Sequence, residues 1–212
     1  MFSDRRQAGE RLATALATKA ADRPIVLALP RGGVPVAAEV SRALGAPLDI
    51  LNVRKLGAPT NPEFAFGAVG EGGAVVIDDA TVRYLGISDQ VRDRLITEAL
   101  TDIDSRILTL RGGRELIDVT GRTVIVVDDG LATGATAEAA IAVVRHLGAA
   151  SVVLAVPTGS QQAVDRLEAL SDELVCLEIP AQFGSVGAQY ESFPQVSEDE
   201  VLGILRGREH AR

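Results

Sequence analysis

Cysteine is nearly absent. Cys176 is the single thiol in 212 residues, which excludes an intramolecular disulfide framework and a four-thiolate zinc site within one chain, and fits a reducing compartment. Its neighbours Val175 and Leu177 point to core packing. Aromatics make up only 3% of the chain, and there are two lysines, Lys19 and Lys55. No apolar stretch reaches the roughly 20 residues that a membrane-spanning helix needs, so no membrane partner is expected. Met1 to Leu16 carry Asp4, Arg5, Arg6, Glu10 and Arg11 without a continuous apolar run, which argues against a secretory signal and for a cytoplasmic protein. Positive charge is in deficit: Lys+Arg of 21 against Asp+Glu of 29 leaves a net charge of -8. Such a balance opposes a role in coating nucleic acid or an anionic membrane, and any bound anion must be held locally. What remains is ordinary globular material, 47% apolar and 24% charged, of a length that suits one domain over 1–212.

Five short runs rich in Val, Ile and Leu recur: Ile25 to Leu29, Leu48 to Val53, Thr123 to Val127, Val152 to Val156, and Leu174 to Leu177. They are continuous rather than alternating, as in strands buried on both faces. The segments Val34 to Leu44, Ala137 to Leu147 and Gln161 to Leu170 read as crossover helices, the first two closed by Gly45 and Gly148. The fold class is therefore α/β, a parallel Rossmann-like sheet flanked by helices. Residues 56–73, rich in Gly and Pro, read as a mobile loop of the length that usually has a function. From 88 to 110, Val91, Leu95, Ala99, Ile103 and Ile107 step by four, predicting an inserted amphipathic helix with Ser88 as its N-cap. That helix is expected to pack on the body or on a second subunit, and a homodimer is the expected assembly.

The chemistry concentrates in 124–136, Val-Ile-Val-Val-Asp-Asp-Gly-Leu-Ala-Thr-Gly-Ala-Thr. Asp128 and Asp129 fall at the carboxyl end of a predicted strand, the edge where open α/β sheets bind ligands. The following loop, Gly130, Ala132, Thr133, Gly134, Ala135 and Thr136, has little bulk. Its amides can wrap a phosphate, its hydroxyls add donors, and the next helix supplies partial positive charge. The two carboxylates would repel that phosphate but suit a pair of neighbouring sugar hydroxyls. A phosphorylated ribose fits both halves. A chance helix-capping turn is the bland alternative. A receiver domain is excluded because no lysine follows Lys55, and a Walker loop because neither lysine follows a glycine.

This arrangement, four apolar residues, two acids, a three-residue gap and Thr-Gly-x-Thr, resembles the 5-phosphoribosyl-1-pyrophosphate (PRPP) signature of the type I phosphoribosyltransferases. Leu29-Pro30-Arg31-Gly32-Gly33 resembles the family's pyrophosphate loop, though alone it reads equally as a simple turn with a surface arginine. Val53-Arg54-Lys55-Leu56-Gly57 resembles the basic pair before the family's flexible catalytic loop. Adjacent side chains diverge at a strand end, so Lys55 rather than Arg54 is expected to face pyrophosphate; a solvated strand end is the other reading.

The resemblance implies displacement of Mg²⁺-pyrophosphate from PRPP by a small nitrogenous base, with inversion at the anomeric carbon. Arg31 and Lys55 are then the catalytic candidates; Gly32, Gly33, Arg54 and the 128–136 segment bind substrate, and Asp128 and Asp129 touch Mg²⁺. Two departures stand out. Residues 56–82 hold no Lys or Arg to serve as a lid charge, for which Arg111 and Arg114 are substitutes. Ala132 occupies the position where 6-oxopurine enzymes carry an aspartate, which disfavours hypoxanthine and guanine. A hood over the base is expected from 178–198 with the N-terminal helix, offering Phe183 and Tyr190, with Phe193, Phe64 and Phe66 as further rings that either stack a base or anchor loops. His146 and His210 are assigned to surfaces. The competing function is a PRPP-sensing regulatory domain without catalysis.

Overall fold

Val, Ile and Leu occupy both faces of the central strands because helices cover both sides of the sheet they form. The computed structural model describes residues 1–59 and 61–209; His210 lies outside them. Strands β1 (Ile25–Ala28), β2 (Leu48–Ile50), β6 (Thr123–Val127), β7 (Ser151–Thr158) and β8 (Glu173–Glu178) make one five-stranded parallel sheet in the order β2-β1-β6-β7-β8. In-register neighbours share a face. Ile25, Leu27, Val124, Val126, Val152, Leu154 and Val156 turn one way, toward α5 (Ala135–His146) and α6 (Gln161–Glu168). Val26, Ala28, Ile125, Val127, Val153 and Ala155 turn the other, toward α1 (Arg5–Ala15), α2 (Gly33–Leu44) and α7 (Glu198–Glu209). The α/β parallel architecture read from the sequence is the observed one.

The predicted strand from Leu48 to Val53 is two strands. Buried Asn52 ends the first: its backbone N–H and its Nδ2 both donate to Glu71 Oε1, at 2.8 and 2.7 Å, and the chain leaves the parallel sheet there. Nor is 56–73 a loop. β3 (Val53–Ala58), β4 (Asn61–Gly70) and β5 (Val75–Ile77) form a separate antiparallel sheet, with a short turn over Glu71–Gly73. Its glycines misled because they serve close packing: a Cβ on Gly67 would lie 2.4 Å from the carbonyl oxygen of Val76. Phe66, expected in a loop, is fully buried under this sheet with Leu56, Val69, Ala99 and Ile103.

After the short helix α3 (Asp79–Tyr84), the predicted helix is α4, Asp89–Arg111. Ser88 Oγ accepts from the amide of Val91 at its start, and its stripe of Ala99 and Ile103 covers the second sheet. The N-terminal helix expected in the hood is α1, whereas the helices α3 and α7 and the strand β5 lacked a readable pattern in the sequence. Among the described residues no helix is long and apolar enough to cross a membrane.

Candidate functional site

The carboxyl ends of β1 and β6 are adjacent, so the segments leaving them are forced together. Leu29 N–H donates to Val127 carbonyl at 2.9 Å, and Gly33 N–H to Leu29 carbonyl at 3.1 Å, folding the 30–33 turn back over the end of β6. The Pro30–Arg31 peptide is cis. Contact between this turn and the acidic pair leaves no room for a side chain. A Cβ on Gly32 would fall 2.0 Å from Asp129 Oδ2, and one on Gly33 would fall 2.6 Å from Val127 carbonyl and 2.9 Å from Asp128 Cα. The two segments singled out separately in the sequence form one surface, with half-buried Arg31 at its rim.

Both acids are largely withdrawn from water. Asp128 Oδ1 accepts the amide of Asp129 at 2.8 Å. Burial, and then the charge of Asp129, hold the Asp128 carboxyl well above the ordinary carboxylate range. Asp129 is also raised by burial, against the opposing pull of Arg5. Arg5 Nε donates to Asp129 Oδ2 at 2.8 Å, and its Nη1 donates to Pro194 carbonyl at 2.7 Å. The guanidinium lies 3.7 Å from the centroid of the Phe193 ring. Sequence reasoning missed Arg5. The available signal was its place on the buried stripe of α1, in line with Ala8, Leu12 and Ala13.

Residues 183–194 and the N-terminus form a clasp above the acids. Phe2 N–H donates to Gln189 carbonyl at 2.9 Å, Glu191 N–H to Phe2 carbonyl at 2.8 Å, and Ser192 N–H to Ser3 carbonyl at 3.0 Å. Tyr190 does not offer a face to a base. Its ring packs between Phe2 and Phe193, with centroids at 5.5 and 4.9 Å, and its hydroxyl donates to Asp129 carbonyl at 2.6 Å. Burial and the Asp129 charge push its phenol upward, so it stays a neutral donor. Phe183 is half-buried, and its carbonyl accepts Gln189 Nε2.

The loop after the acids is tethered by the β7–α6 connection. Leu131 N–H donates to Thr158 carbonyl and Ser160 N–H to Leu131 carbonyl, both at 2.9 Å. Ser160 Oγ donates to Ala132 carbonyl at 2.7 Å, and Arg166 Nη2 donates to Thr133 carbonyl. Gly130 is packed beneath Val186, and Gly134 caps α5, followed by Ala135 and Thr136 in its first turn. Ser160 and Arg166 were also missed; a Thr-Gly-Ser turn after a strand reads only as a helix cap.

The basic pair on β3 splits as adjacent strand residues must. Arg54 Nη1 pairs with Asp102 on α4. Lys55 turns to the opposite side, lining a cleft of about 430 Å³ with Phe64, Ala135, Glu138 and Arg166. Thr136 borders the adjoining cleft with Arg54 and Lys55. Arg111 is no substitute lid charge. It is buried where the two sheets join, with Nη1 3.1 Å from Asp49 Oδ2 and Nη2 paired to Glu71. Arg114 is exposed beside a cavity of about 700 Å³ between α4 and residues 113–120, at the edge where β6 begins, away from the acids. His146 is exposed, as expected. Cys176 is half-buried, and burial raises its thiol to about 11.

Comparison with known proteins adds a consistent finding. The phosphoribosyl transferase domain family matches residues 4–192. Two Mycobacterium tuberculosis proteins, from strains CDC 1551 / Oshkosh and H37Rv, each named "Putative phosphoribosyl transferase", are 49% identical over 205 residues, 97% of this chain and 46% of theirs. This chain thus spans about half the length of those curated relatives. The crystal structure of TT1426 from Thermus thermophilus is 48% identical, superposes with a TM-score of 0.90 and covers 97% of both chains.

Proposed function

Because the chain belongs to the phosphoribosyl transferase domain family, we propose that its site binds PRPP and transfers the 5-phosphoribosyl group to a small nitrogenous base. The observation that carries this reading is the contact of Gly32 and Gly33 with Asp129 and Asp128, which unites a pyrophosphate turn and a ribose site on one surface. The 130–136 loop stands next to the acids to take the 5-phosphate. A ring nitrogen of the acceptor forms the bond to the anomeric carbon as the bond from that carbon to pyrophosphate oxygen breaks, and the proton of that ring nitrogen passes to the departing pyrophosphate. Positioning supplies most of the acceleration. Asp128 and Asp129 accept the ribose hydroxyls, while the Arg31 side chain, the amides of Arg31 and Gly32, and Lys55 meet the departing pyrophosphate.

Among the described residues, no three His, Cys, Asp or Glu side chains cluster to hold a metal. Two carboxylates fit an Mg²⁺ ion that arrives on a diphosphate, since that ion keeps waters and phosphate oxygens as its other ligands. When bound, it supplies neutralising charge to the leaving group. Ala132, where 6-oxopurine enzymes carry an acid, disfavours hypoxanthine and guanine as acceptors. A homodimer belongs to the same proposal: Tyr84 and Leu108, beside and on α4, are 84% and 67% exposed, and sedimentation velocity tests it.

Calorimetric titration with PRPP and Mg²⁺ tests the reading. Binding by the wild type, with a loss of tenfold or more in Asp128→Asn/Asp129→Asn, is the expected result, on the order of one or two charge-assisted hydrogen bonds. Equal affinities would remove the acids from the site. A second reading, a PRPP-sensing domain without turnover, is favoured by the lack of Lys or Arg in 56–82 and the sequestration of Arg111. PRPP binding with no pyrophosphate release across a panel of bases would select it.

A further inference from the structure

The β7–α6 connection does more than close a turn. Its side chains take hold of two successive carbonyls of the 130–136 loop: Ser160 Oγ donates to Ala132 at 2.7 Å, and Arg166 Nη2 donates to Thr133. In a trans peptide the carbonyl and the following N–H point in opposite directions. Turning the Ala132 and Thr133 carbonyls toward α6 therefore turns the amides of Thr133 and Gly134 away from it. Those two amides, with that of Ala132, donate to no group among the described residues. Gly134 completes the arrangement, because its φ of +72° brings the chain into α5. Arg166 also stands 3.3 Å from Glu138 Oε2, balancing the one acid in the first turn of α5.

We propose that Ser160 and Arg166 are positioning residues of the anion loop, which hold the Ala132 and Thr133 carbonyls so that the Thr133 and Gly134 amides are aimed in advance at the 5-phosphate. This rests on the reading of the site as one for a ribose 5-phosphate. Neither residue touches the ligand. Each removes an acceptor that would otherwise need reorienting when the anion arrives, which is the usual gain of a preorganised dipole.

The test is calorimetry with ribose 5-phosphate on three variants. Ser160→Gly removes the hydroxyl donor at a position that also caps α6, where its oxygen accepts from Ala163 at 3.2 Å, but glycine is a tolerated cap. Arg166→Met removes the guanidinium and keeps the stem. Arg166→Met/Glu138→Gln removes the local charge imbalance as well. The expected result is about a tenfold loss of affinity in all three, partial recovery in a fourth variant, Arg166→Lys, and unchanged pyrophosphate affinity in Ser160→Gly, which lies outside the Lys55 cleft. Amide resonances of Thr133 and Gly134 should shift on adding inorganic phosphate to the wild type and shift less in the variants. Wild-type binding with equal affinity in Ser160→Gly and in the double variant overturns the positioning role while leaving the site reading intact. A wild type that binds no ribose 5-phosphate overturns both.

Discussion

Two groups of buried carboxylates can be set side by side, and they are treated in opposite ways. Where the two sheets join, Asp49 accepts from Arg111 at 3.1 Å, from the Ile117 amide at 3.2 Å and from the Ile50 amide at 2.8 Å. Glu71 there takes the other arm of Arg111 and both donors of Asn52. At the end of β6, Arg5 donates to Asp129, and among the described residues Asp128 receives only its neighbour's amide. In the first cluster both carboxylates are paired from within by Arg111, although Asn52 Oδ1 and Arg111 Nε have no hydrogen-bond partner among the described residues, and its charges hold two sheets together. The second is left short of donors, and burial, joined at Asp128 by the charge of Asp129, shifts its protonation upward. Carboxylates kept poor in partners inside a glycine-lined surface are what a ligand rich in hydroxyls and accompanied by a cation can complete.

The sharpest way to break this contrast is at the junction. Arg111→Met should strand Asp49 and Glu71, destabilising the fold by about 3–5 kcal/mol while leaving PRPP affinity of the folded fraction unchanged. Chemical denaturation with calorimetry checks both halves. Arg5→Met should cost about 1.5–3 kcal/mol, the worth of a hydrogen bond to a charged group, and should also weaken PRPP binding, because here the carboxylate left behind belongs to the site. Gly33→Ala should cost about 1–3 kcal/mol through overpacking against Val127 and Asp128, with PRPP binding lost on titration.

Asp128→Asn should have the smallest effect on the fold, with the opposite sign. Since the folded-state carboxyl titrates above its unfolded value, the native chain holds more protons than the unfolded one between those two values. Stability therefore falls as pH rises through that window. The variant lacks this loss, so it should melt higher than the wild type near neutral pH, by a margin that closes as pH drops into the carboxylate range. PRPP affinity should fall by about tenfold, the scale of a lost hydrogen bond to a charged acceptor. Thermal melts at several pH values check the first expectation.

The parts of the molecule that were readable in the sequence are those whose causes are local. Residues 25–28, 124–127 and 152–156 of β1, β6 and β7 lie between two layers of helix, so these positions are apolar and the runs are uninterrupted. The acid pair and its small-residue loop occupy consecutive positions, so the segment on which the proposed function rests could be picked out by spacing. The second sheet was unreadable because its glycines answer to neighbours in space, as Gly67 does to Val76, and composition alone made them a loop. Asn52 broke an apolar run that otherwise looked like one strand. Arg5 lies 124 positions from Asp129, and Arg166 lies 33 from Thr133. Contacts at such separations leave no period or motif. Tyr190 was noticed as an aromatic, but its role as a prop against the Asp129 carbonyl depends on Phe2 at the other end of the chain.

A crystal structure of the protein with PRPP and Mg²⁺ addresses the central assignment most directly. It should show the 5-phosphate on the amides of Thr133 and Gly134, ribose hydroxyls within hydrogen-bond distance of Asp128 and Asp129, and the diphosphate against Gly32 and Gly33. A ligand seated elsewhere, with none of its atoms within hydrogen-bond distance of Asp128 or Asp129, would contradict it.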